Sequence, residues 1–233
     1  MNYQKAIINY CKKNRVSTTE VADALGKNGV LNNIYPINNN QYKVGKIKTI
    51  FASYNSNYEI HDQIQDLDEE DIIFILTYEI DRSVIGDLIA KYLILYKGIT
   101  AIIVDGFVRD LASLKKDSYP IWCKGTTPLG CYNSKGKNFP KDLKKELEEK
   151  YNNAVAICDE GGVTVIETKY CNKLTLKKLE QIELQEDIWF YCLDTLKWNT
   201  KQIVCDKKYL DSDLIPSTYK NKLKLLKSPL DEE

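Results

Sequence analysis

Residues 84–114 have the sequence VIGDLIAKYLILYKGITAIIVDGFVRDLASL, and this stretch decides the fold. Apolar side chains at helical spacing follow Gly86-Asp87, and Gly98 is suited to the left-handed position that ends a helix. Residues 99–104 are apolar and rich in β-branched side chains, which predicts a buried strand. A helix followed by a buried strand favours an α/β fold.

Charged residues follow this strand. The turn-forming pair Asp105-Gly106 is expected to end it, and Arg109 and Asp110 come shortly after. Arg109 offers a two-pronged clamp for a carboxylate or phosphate, and Asp110 is a hard oxygen ligand of the kind that Mg²⁺ or Mn²⁺ prefers. The N–H groups of Leu88 and Ile89, at the start of the predicted helix, are suited to the same anion.

A plainer interpretation of these residues stays open. Arg109 and Asp110 could form a solvated surface turn, and Asp87 could simply cap a helix, because isolated carboxylates are mostly solvated. The residues alone do not decide between a site and a surface turn.

Several motifs in one chain resemble the RraA-like family. They are Gly86-Asp87-Leu88, residues 105–110 (DGFVRD) and residues 120–128 (PIWCKGTTP), with weaker likeness at residues 23–30 and 154–165. That family holds the ribonuclease E activity regulator and the metal-dependent 4-hydroxy-4-methyl-2-oxoglutarate aldolases. The resemblance covers roughly residues 17–168, and it is specific because these motifs occur together in one chain.

The resemblance implies a fold and an assembly. The expected fold is the α/β swivelling β/β/α domain, with helical additions at both ends. Residues 1–170 would form this domain, and residues 171–233 a helical extension packed on it. Members usually form trimers, so a homotrimer or a dimer of trimers is expected, with the site between neighbouring subunits.

The resemblance also implies a lyase that acts on a pyruvate-type 2-keto acid through an enolate. Asp110 would anchor Mg²⁺ or Mn²⁺, Arg109 and the backbone of residues 86–89 (Gly86, Leu88 and Ile89) would bind the substrate, and Asp87 would serve metal or proton transfer. An acidic group from a neighbouring subunit cannot be placed, and Glu180, Glu183 and Glu186 are candidates. The alternative is a non-catalytic binding or regulatory protein.

Three departures from the family pattern weaken this transfer of roles. The spacing from Asp87 to Arg109 is one residue longer than expected, and Ser113 stands where the family has an outer carboxylate. Residues 131–153 replace a late hairpin, with a charged helix expected after Pro140.

Composition restricts the class of protein. The chain has 233 residues, with 33 Lys and Arg against 33 Asp and Glu, so neither a nucleic-acid footprint nor binding to an anionic membrane surface is expected. No apolar run is long enough to span a membrane, and the N-terminus lacks a signal sequence, so a cytoplasmic location is expected. Seven cysteines without a C-x-x-C pair predict free thiols rather than a zinc site. His61, the single histidine, is expected at the surface without a role.

Overall fold

A computed structural model describes residues 2–65, 67, 69 and 71–227. The strands are β1 (Tyr35–Pro36), β2 (Lys43–Ser53), β3 (Ile72–Tyr78), β4 (Ser83–Ile85), β5 (Ala101–Val108), β6 (Ile121–Thr126), β7 (Val155–Asp159) and β8 (Gly162–Ile166). The helices are α1 (Tyr3–Asn14), α2 (Thr18–Ala24), α3 (Tyr58–Gln63), α4 (Asp87–Lys91), α5 (Leu111–Lys116), α6 (Lys141–Tyr151), α7 (Lys173–Asp194) and α8 (Ser217–Lys227).

Within the described residues, these strands form one sheet in the order β1-β6-β5-β3-β2-β7-β8, with β4 beside β5. Parallel pairs join β2, β3, β5 and β6, whereas β1, β7 and β8 are added by antiparallel pairs. The buried strand predicted at residues 99–104 is confirmed, and it pairs with β3. The structure therefore confirms the expected α/β class.

Buried side chains cover both faces of the central strands. In β3, Ile73 and Ile75 lie in one apolar cluster, and Ile72, Phe74 and Leu76 lie in another. The division follows from the two-residue period of a strand. Burial on both faces explains why this segment is apolar without interruption.

Two helices cover opposite faces of the sheet near the site. α4 continues as a π-helical turn, Tyr92–Tyr96, and buries Ile89 and Leu93 in the first cluster. The charged helix expected after Pro140 is confirmed as α6, which packs Leu143 and Leu147 against the second cluster. None of the described helices is both long and apolar enough to cross a membrane.

The prediction that Asp105-Gly106 forms a turn is wrong. β5 continues through both residues to Val108, with an irregularity in its pairing with β6. The Asp105 carbonyl accepts a hydrogen bond from Thr77 Oγ1 at 2.6 Å, and the Asp105 carboxylate pairs with Lys124 Nζ at 2.6 Å. Because neighbouring strands supply these partners, the pair stays within the sheet.

α7 connects the sheet to the C-terminal residues. Its Leu179 is buried in a cluster shared with α1, α2 and β7. Further along, Ile188 lies in a separate cluster with Trp198, Ile203, Tyr209 and Ile215. The division at residue 170 stays a prediction, and residues 228–233 of the expected extension lie outside the described residues.

Candidate functional site

The loop between β5 and α5 places Arg109 and Asp110 at the edge of the sheet. The Arg109 N–H donates to the Ile85 carbonyl at 3.0 Å, which fixes the loop against β4. Asp110 adopts a left-handed backbone, with φ 58° and ψ 35°. Aspartate is among the few non-glycine residues that adopt this conformation readily, so the local sequence suits the turn.

The start of α4 meets this loop. The Asp87 N–H donates to Asp110 Oδ2 at 3.2 Å, and Arg109 Nε lies 3.6 Å from the same oxygen. The side chains of Arg109 and Asp110 are 49% and 45% exposed, so both remain accessible to a ligand. The structure therefore brings together the Gly86-Asp87 and Arg109-Asp110 pairs that the sequence singled out.

Two glycines make room for these side chains. A Cβ atom on Gly86 would overlap Asp110 Oδ2 and would lie 2.9 Å from Arg109 Cγ. A Cβ atom on Gly130 would overlap Arg109 Nη1 and lie 3.3 Å from its Cζ. The Arg109 side chain therefore packs closely against two glycine backbones, and a side chain at either glycine would displace it from this position. Sequence reasoning missed Gly130, because its closeness to Arg109 arises only in the fold.

A cleft of about 100 Å³ lies against Arg109 and Asp110. Its wall includes Asn57, His61 and Cys131, none of which the sequence assigned to the site. The expectation that His61 has no role rested on its hydrophilic surroundings, whereas the structure places it in this wall. Burial raises the pKa of the Cys131 thiol to about 11, which disfavours its thiolate at neutral pH.

Two buried polar atoms lack partners in the described part of the chain, one on Asn57, which lines the cleft, and one on Asp87, which does not line it. Among the described residues, neither Asn57 Oδ1 nor Asp87 Oδ1 has a hydrogen-bond partner, although both atoms are buried. An unsatisfied buried polar atom costs about 1–3 kcal/mol, so these atoms favour an additional donor such as water or a ligand group. The Asn57 amide nitrogen is already engaged, donating to the Val84 carbonyl at 3.2 Å.

The donor set restricts which metal the site suits. Within the described part of the chain, no group of three or more His, Cys, Asp or Glu side chains could enclose a metal ion. Asp110 offers a single exposed carboxylate, which resembles sites where Mg²⁺ is held by one or two carboxylates, waters and substrate oxygens. The residues fit such a cation better than zinc, which takes several nitrogen or sulfur ligands.

Residues 78–83 join β3 to β4 and lie beside the cleft. Arg82 stacks on Tyr132 with its Cζ 4.6 Å from the ring centre, and its Nε lies 3.8 Å from an Asp81 carboxylate oxygen. Asp81 and Arg82 therefore lie within ion-pair distance, and Arg82 is also held against Tyr132.

The acidic candidates on α7 do not line this cleft within one subunit. Glu183 accepts a hydrogen bond from the Tyr10 hydroxyl. Burial, followed by the nearby carboxylates of Glu20 and Asp23, raises the pKa of Glu186. A role for Glu180, Glu183 or Glu186 in a neighbouring subunit's site stays a prediction.

Similar solved structures share this fold. An uncharacterized protein from Pseudomonas syringae pv. tomato superposes with a TM-score of 0.67 at 18% identity, over 87% of this chain and 94% of its own. Streptomyces coelicolor RraAS2, described as an unusual member of the RNase ES inhibitor RraA protein family, gives a TM-score of 0.57 at 18% identity, over 75% of this chain and 91% of its own. At these identities the likeness concerns the fold alone, and it confirms the expected RraA fold.

A curated relative adds a sequence match. A protein of Halalkalibacterium halodurans with the provisional name 4-hydroxy-4-methyl-2-oxoglutarate aldolase is 32% identical over 117 residues. The match covers 48% of this chain and 54% of the relative, so it spans about half of that protein's length.

The family model RraA-like, described as Aldolase/RraA, matches residues 18–167. This range contains the sheet, the loop after β5 and the start of α4, and it agrees with the extent of the resemblance found in the sequence. Because the match covers more than half of the chain, the protein belongs to the RraA-like family.

Proposed function

We propose that this protein is a divalent-metal-dependent lyase that cleaves a carbon–carbon bond in a pyruvate-type 2-keto acid. The observation that carries the proposal is the pairing of Arg109 and Asp110 at the start of α4, with Asp110 held by the Asp87 N–H. The Arg109 guanidinium suits a substrate carboxylate, and the Asp110 carboxylate suits a hard cation. The name of the Halalkalibacterium relative supports the same chemistry.

Arg109 would bind the substrate carboxylate. Its side chain is half exposed and packs closely against the backbone of Gly86 and Gly130, which restricts its orientation before substrate arrives. A planar guanidinium can donate two parallel hydrogen bonds to one carboxylate, which fixes the direction of the substrate as well as its position. The first-turn N–H groups of Leu88 and Ile89 lie at the same edge and would add donors.

Asp110 would hold Mg²⁺ or Mn²⁺, with waters completing the coordination. When bound, such an ion stabilises negative charge that develops on the keto oxygen as the carbon–carbon bond breaks. Asp110 Oδ2 already accepts from the Asp87 N–H, which restrains the carboxylate in advance. This restraint is what the protein itself would contribute to metal binding.

Two related reactions fit this arrangement. In oxaloacetate, the bond from C3 to the terminal carboxylate breaks, CO₂ leaves, and C3 takes up a proton to give pyruvate. In a 4-hydroxy-2-keto acid, the hydroxyl loses its proton as the C3–C4 bond breaks, and C3 is again protonated. Asp87 is our candidate for holding the water or proton involved, since its Oδ1 lacks a partner among the described residues.

We also propose a homotrimer or a dimer of trimers. The side chains of Leu88, Leu95 and Tyr96 are 79%, 60% and 74% exposed on the segment that begins at the site. Leu88 lines the cleft, and the Tyr96 ring stacks on Tyr92 with their centres 6.5 Å apart, so exposed apolar side chains continue from the cleft along this segment. A second copy of the chain is the partner that these side chains would contact.

The second candidate is a binding protein without catalysis. Ser113 in place of an outer carboxylate, and the absence of a three-ligand cluster among the described side chains, favour this alternative. The Streptomyces protein is described as a member of an inhibitor family.

Pyruvate release separates the two candidates. The assay couples pyruvate to a reporter dehydrogenase, with oxaloacetate or a 4-hydroxy-2-keto acid as substrate, with and without a chelator. Because metal ions decarboxylate oxaloacetate unaided, the control is the same metal without protein. We expect a protein-dependent rate that the chelator removes. A rate no higher than the control for both substrates would contradict the lyase proposal and favour the binding protein.

A further inference from the structure

A second cavity lies on another part of the molecule, between the loop after α2, the end of α6, β8 and the start of α7. Its volume is about 500 Å³, and its lining shares no residue with the cleft beside Arg109. Pockets for small ligands typically measure about 300–1,000 Å³. The cavity is therefore large enough for a small organic molecule.

The charge of this cavity favours an anion. Lys150 and Lys178 line it, and neither forms an ion pair with any residue that the structure describes. Glu167 also lines the cavity, but its carboxylate is engaged by Lys169 at 2.7 Å. Lys150 Nζ also lies 5.0 Å from the centre of the Tyr151 ring. Two lysines without a carboxylate partner thus line a space in which the acidic group is already paired.

The helix at the cavity strengthens this preference. α7 has 22 residues and begins with the sequence KLTLKK, which places three lysines and no acidic residue in its first two turns. The N-terminus of a helix already carries partial positive charge, so lysines there are unfavourable without an anion nearby. The Asn172 side chain accepts only the Thr175 N–H, and the N–H groups of Lys173 and Leu174 belong to the first turn.

A buried hydroxyl is a separate observation. Thr175 is only 5% exposed, lines the cavity, and its hydroxyl has no hydrogen-bond partner within the described residues. Its oxygen is not itself fully enclosed, so it can bond water or a ligand oxygen that enters the cavity. This feature is independent of the helix terminus and of the lysines.

The remaining wall is apolar. Val30, Tyr170 and Leu174 line the cavity and are between 47% and 49% exposed. Gly29 allows the loop after α2 to lie close to β8, since a Cβ atom there would lie 2.6 Å from the Val165 carbonyl oxygen. Cationic and apolar walls together match a molecule with an anionic end and an apolar or aromatic body.

We propose that this cavity is a second ligand site, which binds a small organic phosphate monoester through Lys150, Lys178, Thr175 and the start of α7, with its apolar body against Val30 and Leu174. A dianionic phosphate matches two lysine point charges and several donors better than a single carboxylate does. The site is independent of the lyase proposal, because the two linings share no residue.

The probe is 4-methylumbelliferyl phosphate. Its fluorescence anisotropy is measured while the protein is titrated into it. The variant K150Q/K178Q removes the two cations, and K12Q/K13Q, on exposed positions of α1, is the matched control for net charge. We expect saturable binding that weakens at least about tenfold in K150Q/K178Q and stays within about twofold in the control. Inorganic phosphate should compete, and 4-methylumbelliferone without the phosphate should bind more weakly.

A third variant, Thr175→Val, keeps the shape of the side chain and removes the hydroxyl. We expect it to weaken the probe about fivefold while retaining the wild-type circular dichroism spectrum and melting temperature within a few degrees. Absence of saturable binding at millimolar protein, or equal affinities for K150Q/K178Q and K12Q/K13Q, would overturn the proposal. Binding that is lost in Arg109→Lys instead would assign the probe to the cleft beside Arg109 and would also overturn it.

Discussion

The carboxylate of Asp110 accepts a hydrogen bond from the backbone N–H of Asp87, at 3.2 Å. This bond joins the end of β5 to the start of α4, two points separated by a helix and a strand in the sequence. It engages Oδ2 and leaves Oδ1 without a hydrogen bond from the described residues. The free oxygen is therefore the one that we expect to contact a metal ion or its waters.

Gly86→Ala should impair the site without unfolding the protein. Gly86 has an extended backbone, with φ −141°, so alanine is compatible with its conformation. Its Cβ would nevertheless overlap Asp110 Oδ2 and crowd Arg109. We expect pyruvate release to fall at least about tenfold, since a displacement of about 1 Å can cost a hundredfold in rate.

The matched control for this variant is Gly125→Ala. A Cβ atom on Gly125 would lie 3.3 Å from the Phe107 ring, a tight contact that a small shift of the ring relieves, and it would meet no atom of Arg109 or Asp110. We expect near wild-type activity from this control and similar melting temperatures for both variants. Wild-type activity in Gly86→Ala would show that the close packing of Gly86 on Asp110 does not contribute to the rate of pyruvate release.

Arg109→Lys tests the two-pronged contact with the substrate carboxylate. Lysine keeps the charge but loses the planar fork, so we expect kcat/KM to fall by about 1–3 kcal/mol of transition-state stabilisation. Steady-state kinetics on oxaloacetate measure this loss. Arg15→Lys, a change to a cation that stacks on Tyr42, is the control and should leave kcat/KM unaltered. Equal kcat/KM for Arg109→Lys and wild type would remove Arg109 from the substrate site.

Much of this site could be predicted from one continuous stretch. Gly86, Asp87, Arg109 and Asp110 belong to a single helix–strand unit, and the parallel sheet brings its two ends together. The prediction of a turn at Asp105-Gly106 was wrong, because Thr77 and Lys124 lie on other strands. They provide bonding partners for Asp105 that a local sequence pattern does not reveal.

The rest of the cleft depends on contacts between distant parts of the chain. His61 and Asn57 lie on or beside α3, and Gly130 lies in an irregular segment that pairs with β4. Polar residues surround His61 and Asn57 in the sequence, and Leu129 and Cys131 flank Gly130, so no periodicity marks these residues as neighbours of Arg109. The family resemblance predicted the fold correctly, but it could not supply these neighbours.

Light scattering tests the proposed assembly. We expect a mass about three or six times that of the 26.9 kDa chain at micromolar concentration. Leu95→Glu introduces a charge among the exposed apolar side chains that continue from the cleft and should shift the mass toward the monomer. Leu214→Glu, at another exposed apolar position, should not change it. A monomer mass for the wild type would exclude the trimer and with it a site shared between subunits.

The central claim is that Asp110 holds a divalent cation, and its most direct test is calorimetric titration of Mn²⁺ into wild type and Asp110→Asn. Asparagine tolerates the left-handed backbone at this position, so the substitution removes the charge while the loop keeps its conformation. Asp142→Asn, at an exposed position in α6, is the control for the loss of one carboxylate. We expect one Mn²⁺ per chain for the wild type and Asp142→Asn, with affinity at least about tenfold weaker in Asp110→Asn. Equal Mn²⁺ affinity in the three proteins would contradict the account.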